Sequence, residues 1–81
     1  MDFSKHALEQ MKVREIRLEI AQSVLAGPQQ IITETDKKIY QSIINFEDGE
    51  YLVRVIVNIE KDPNLVITVY KTSKIKKYYE G

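Results

Sequence analysis

Between residues 5 and 26 the apolar positions recur at helical spacing. Ala7, Leu8, Met11, Leu18, Ala21 and Leu25 form one set, and Val13, Ile16, Ile20 and Val24 a second, with no Gly or Pro among them. Ser4 stands where an N-cap would, and Phe3 before it is placed to pack on Leu8 as a hydrophobic staple. Gly27 and Pro28 end the helical region. The periodicity alone accommodates one long helix, or two helices with a turn near residues 14–17.

After Pro28 the pattern changes to strands. Residues 30–35 are short and β-branched, and read as an edge strand. Asp36, Lys37 and Lys38 turn the chain into a second strand, 39–46. Asp48-Gly49 is a strong hairpin signal and leads into the longest strand, 51–60. Asp62-Pro63-Asn64 makes another turn before a fourth strand, 65–71. Tight turns between consecutive strands imply antiparallel pairing. Helices placed before the strands, not alternating with them, imply an α+β fold. The prediction is therefore helices packed on a four-stranded antiparallel β-meander, forming a single domain over 1–81. In the third strand Val53, Val55, Val57 and Ile59 share one face, the expected core. Leu52, Arg54, Ile56 and Asn58 share the other, more open face. A meander leaves two open edges, its first and fourth strands, where a partner could add a strand or a helix. Residues 72–81 read as a polar tail.

The 81 residues are 43% apolar, which suits a folded domain with a small core. Cysteine is absent, so disulfides and thiolate metal sites are excluded, and one histidine cannot build a His-rich zinc site. No cofactor is expected. No apolar run approaches the ~20 residues that span a bilayer. Residues 1–6 show no signal-peptide pattern. These features predict a cytoplasmic, non-membrane protein, monomeric or weakly dimeric.

Twelve acidic and twelve basic residues balance to zero, which argues mildly against non-specific nucleic-acid binding. Their placement is uneven. Lys71, Lys74, Lys76 and Lys77 crowd one end, while Glu47, Asp48, Glu50, Glu60 and Asp62 make the central loops acidic. Basic residues interleaved with tyrosines suit single-stranded RNA, through stacking and phosphate contact. An acidic protein segment would suit the same lysines, and so would plain solvation. Arg54 sits mid-strand among apolar residues, where a guanidinium either grips a phosphate or pairs with a neighbour in the sheet. His6 is the one histidine, a residue type suited to acid or base work in RNA cleavage, and equally could pack or bond a backbone group.

The string His6-Ala7-Leu8-Glu9-Gln10-Met11, followed by Arg14 and Ile16, resembles the H-A-x-x-R-M…R-G-I opening of a widespread family of small bacterial and archaeal domains of unknown function. Residues 38–41 and the ending 66–78 fit it as well. That family looks like a relative of the BrnT toxins and, more distantly, of the RelE/ParE toxin superfamily. The resemblance implies two N-terminal helices, with the break near 14–17, on a RelE/ParE-like sheet. It also implies a metal-independent endoribonuclease of a toxin–antitoxin system, with RNA as substrate and an acidic antitoxin-like protein as partner. His6, Arg54, Tyr70 and Lys74 would then be the catalytic candidates, and Arg14, Tyr40, Lys71 and Lys77 the RNA contacts. A non-enzymatic protein- or RNA-binding module, or a degenerate toxin that keeps only the fold, is the alternative. The chain departs from the motif at three places. The family's arginine is Gln10, its turn glycine is Glu15, and its Ser or Thr helix cap is Arg17.

Overall fold

The structure is a computed structural model and describes residues 1–80. Ser4 is the N-cap of helix α1 (Lys5–Val13), where its side chain accepts the Ala7 N–H at 3.0 Å. The helix closes in a Schellman turn. Arg14 is the C-cap, the Ile16 N–H returns to the Met11 carbonyl at 2.8 Å, and the Glu15 N–H reaches Lys12 at 3.3 Å. Such a turn requires one left-handed residue, and Glu15 takes it with φ 56°. Met11 and Ile16, the apolar pair that accompanies this motif, are both buried. Helix α2 (Leu18–Ala26) follows, with Arg17 at its N-cap making no side-chain cap hydrogen bond, and ends at Gly27. The expected pair of helices is present, although the turn lacks both its glycine and its hydroxyl cap. Phe3 packs against the helix-side core, and Leu8 is 46% exposed.

Five strands are described: β1 (Asp2–Phe3), β2 (Gln30–Thr33), β3 (Lys37–Phe46), β4 (Gly49–Asn58) and β5 (Leu65–Thr72). They form one mixed sheet in the order β1-β5-β4-β3-β2. The predicted four-stranded antiparallel meander is its larger part, and it needs correction at one edge. Asp2 and Phe3 pair parallel to Leu65 and Val66 along β5. Two residues carry no periodicity, so no pattern announced this strand. The β3–β4 hairpin turns at Glu47-Asp48, with Phe46 opposite Gly49, where φ is +137° and glycine is favoured. Lys37 and Lys38, expected in a turn, already pair with Asn58 and Val57.

A register shift lies between β4 and β5. Ile56 faces Thr68 and Val57 faces Val66, so Ile67 is the extra residue of a bulge. The bulge lets Val66 and Val69 point to one face although they are three apart. That face carries the core: Val53, Val55, Val57, Val66 and Val69 pack with Ala7, Met11, Ile16, Ala21 and Val24. Helix α1 lies along β5, and α2 lies on β3 and β4. Ala7 and Ala21 are fully buried, and their small side chains let the helices approach the strands closely. Ile59 packs at the rim of this cluster.

The second face is not open, contrary to expectation. Leu52 is fully buried there, and Ile39, Gln41 and Arg54 are buried beside it, though none belongs to the helix-side cluster. Residues 72–80 are not a free tail. They turn back as helix α3 (Ile75–Tyr78) and run on to Glu80 against this face. A short amphipathic turn with one isoleucine and two tyrosines gives too little periodicity to be read from sequence.

Candidate functional site

Counting outward from the hairpin turn places Gln41 opposite Arg54, and β5 places Tyr70 on the other side of Arg54. Gln30 of β2 faces Gln41. One row of polar side chains, Gln30–Gln41–Arg54–Tyr70, therefore crosses four strands on the face away from α1 and α2. The side chains are joined. Arg54 Nε donates to Gln41 Oε1 at 2.9 Å, and Arg54 Nη1 donates to the Tyr70 hydroxyl at 2.6 Å. Gln41 Nε2 donates to Gln30 Oε1 at 2.7 Å and to the Tyr78 carbonyl at 3.1 Å. Gln41 is fully buried and uses both ends of its amide, and among the described residues no buried side-chain polar atom lacks a partner.

Arg54 is the unusual member. It is 8% exposed, and a charge so deeply placed ordinarily needs a carboxylate. Among the described residues none lies within 4.0 Å of its guanidinium, and its hydrogen-bond partners are neutral. Its charge is eased by aromatic faces: the Tyr78 ring centroid is 4.4 Å from Cζ, and that of Tyr70 is 5.7 Å away. Arg14, exposed beyond the end of α1, brings a second guanidinium to 5.7 Å from the Tyr70 ring. Lys77 Nζ lies 5.3 Å from the Tyr78 ring. The cluster thus concentrates positive charge around two phenol rings, with no acid among the described residues paired to Arg54. Because the Tyr70 oxygen accepts from Arg54, its own O–H is left to donate elsewhere.

Of the residues singled out by sequence, Arg54, Tyr70, Arg14 and Lys77 come together here, and His6, Tyr40, Lys71 and Lys74 do not. His6 is exposed two turns before Arg14, about 12 Å along α1. It lines a shallow depression with Glu9, Gln10, Val13 and Arg14. Tyr40 pairs with Val55 and packs at the rim of the helix-side core. Lys71 follows Tyr70 and so points to the opposite face, with Nζ 4.2 Å from the Phe46 ring and 5.0 Å from Tyr51. It borders a concavity of about 500 Å³ that also touches Glu15, Arg17, Glu47 and Asp48. There Asp48 accepts the Tyr51 hydroxyl at 2.7 Å, which raises the Tyr51 phenol above its ordinary pKa. Lys74 is exposed at the start of α3.

Sequence reasoning missed Gln41, Gln30 and Tyr78. A glutamine inside an apolar strand is itself a signal, and hairpin register would have matched it to Arg54. Gln10, where the family motif carries arginine, serves the backbone, since its Oε1 accepts the Val69 N–H at 3.2 Å. Together with β1, it occupies outward-facing groups of β5, so the fourth strand of the meander is not the open edge expected.

Two helices on one face of a five-stranded mixed sheet, with a polar row on the other, define a small α+β protein with a buried arginine in that row. Residues 3–71 match the family described as a domain of unknown function (DUF4258), and the chain belongs to that family. No curated protein and no solved structure is significantly similar to it. Among the described residues no helix is long and apolar enough to cross a membrane.

Proposed function

We propose that this protein binds single-stranded RNA through a phosphate held at Arg54, Tyr70 and Arg14, and that it is a metal-independent endoribonuclease of the toxin kind its sequence resembles. The observation that carries this reading is the Arg54 guanidinium, buried, fixed by neutral partners and without a carboxylate among the described residues. Such a group favours an incoming anion, and a guanidinium meets a phosphate with two parallel hydrogen bonds. RNA supplies its own nucleophile. The 2′-hydroxyl oxygen attacks the adjacent phosphorus, the bond to the 5′-oxygen breaks, and a 2′,3′-cyclic phosphate and a 5′-hydroxyl result. The 2′ proton leaves to solvent. Tyr70 donates a proton to the departing 5′-oxygen and regains one from water. Arg54 stabilises the charge that builds on the phosphoryl oxygens. Lys77 contacts a neighbouring phosphate. In this reading an acidic antitoxin-like protein would compete for the same cations.

A second reading, a non-enzymatic binding module or a degenerate toxin, draws on Gln10. That side chain is committed to the Val69 backbone in the position where the motif has a cation. Binding and cleavage assays on single-stranded RNA separate the two. The enzyme reading expects Tyr70→Phe to bind RNA nearly as well as the parent chain and to cut it about a hundredfold more slowly. Binding without cutting by the parent protein selects the second reading. Neither binding nor cutting, with or without ribosomes, rejects both RNA readings.

A further inference from the structure

Arg54 is the centre of the proposed site, and yet it is covered. What covers it is the segment 75–80. The Tyr78 ring stacks on the guanidinium at 4.4 Å, and the Tyr78 carbonyl accepts from Gln41 Nε2 at 3.1 Å. Farther along, the Glu80 N–H donates to Gln30 Oε1 at 3.0 Å, while Gln30 Nε2 donates to the Glu80 carbonyl. The segment thus uses every polar side chain of the row except Tyr70.

We propose that residues 75–80 are an internal latch that occupies the Arg54 site and is displaced by a single-stranded nucleotide segment. This inference rests on the RNA reading above for the identity of the displacing ligand. Three observations support it. The latch is weakly built: α3 has four residues, no side-chain cap and no buried residue, and helices so short do not hold by themselves. It lies outside the stretch that matches the family, 3–71, whereas Arg54, Tyr70, Gln41 and Gln30 all lie within it. The latch also presents what a nucleotide would present: a flat ring on the guanidinium face, and a carbonyl acceptor opposite the Gln41 amide. A nucleobase stacks on arginine in the same way and offers carbonyl acceptors on its edge. The segment's lysines stay outward. Lys76 and Lys77, and Lys74 just before them, are exposed, so they remain available to phosphates when the ring swings away.

The consequence is a lowered apparent affinity, since only the open fraction of molecules binds. Tyr78→Ala keeps every lysine and removes the ring. Two readouts test the latch on the full chain. The first is the rate at which phenylglyoxal, an arginine-selective dicarbonyl, modifies Arg54, mapped by peptide mass spectrometry, with the exposed Arg14 and Arg17 as internal controls. The second is the affinity for a short single-stranded RNA. Tyr78→Ala is expected to speed modification of Arg54 but not of Arg17, and to tighten RNA binding about tenfold, the gain from opening a site that is closed nine times in ten. Ile75→Ser, which loosens α3 without touching the ring, is expected to shift both readouts the same way and less far. An unchanged Arg54 modification rate in both variants overturns the latch. Faster modification of Arg54 with no RNA bound by any of the three proteins leaves the latch standing and overturns the RNA reading.

Discussion

The two faces of the sheet are built on different physics. On the helix side, Val53, Val55, Val57, Val66 and Val69 meet Ala7, Met11, Ala21 and Val24 in an apolar cluster. That burial is non-directional, and it supplies most of the folding free energy of a small domain. On the other side a chain of hydrogen bonds runs from Gln30 through Gln41 and Arg54 to Tyr70, beneath one aromatic ring. Directional contacts of this kind contribute little net stability and fix a single arrangement of groups. The same strand, β4, serves both: Val53, Val55 and Val57 face the helix-side core, and Arg54, between them, faces the polar row. Alternation therefore lets one strand carry an apolar face and a polar one residue by residue.

Reversing the polarity of each face puts this contrast under the greatest strain. Val57→Asp puts a carboxylate into the fully buried helix-side core and should unfold a domain that holds on the order of 5 kcal/mol. Far-ultraviolet circular dichroism should then lose the native signal. Val55→Ala is milder, leaving a cavity on the same face, and should cost about 1–3 kcal/mol in urea unfolding. Arg54→Leu makes the opposite exchange on the other face. It removes a desolvated charge along with its hydrogen bonds, so these effects offset and the stability should change by no more than about 2 kcal/mol in the same measurement. Glu15→Gly is the smallest and has the opposite sign to the core variants. It relieves the left-handed residue of the Schellman turn and should stabilise by about 1 kcal/mol, less the added freedom of glycine in the unfolded chain. A loss of stability there would mean that the Glu15 side chain makes a contribution the turn geometry does not include.

Much of the helix-side face was legible in the sequence. Period-two alternation in β4 identified Val53, Val55 and Val57, and Asp48-Gly49 located the hairpin. The break between α1 and α2 came through a family resemblance and not through turn chemistry, since Glu15 and Arg17 are poor residues for their positions. Three features were hidden for physical reasons. Two-residue β1 has no period to detect. The bulge at Ile67 shifts Val66 out of the simple alternation, so the two valines of β5 do not read as one face. The cover over Arg54 depends on a four-residue helix whose formation is tertiary. The candidate site was half visible for the same reason. Arg54 stood out as a charge among apolar neighbours. That Tyr70 belongs with it, and Lys71 on the opposite face, is a matter of strand parity. Adjacent residues in a strand cannot share a face, so a basic cluster read as one patch divides between two surfaces.

The proposed role of Arg54 as an RNA-binding centre is decided by affinity measured across a salt series for the parent chain and Arg54→Leu, with circular dichroism to establish that both are folded. The parent should bind single-stranded RNA with an affinity that falls linearly on a logarithmic salt scale. Arg54→Leu should keep its fold and lose binding at least about tenfold, with a slope shallower by about one unit. Equal affinities and equal slopes for the two folded proteins would contradict this role, and would leave Arg54 as an anchor for the segment that lies over it.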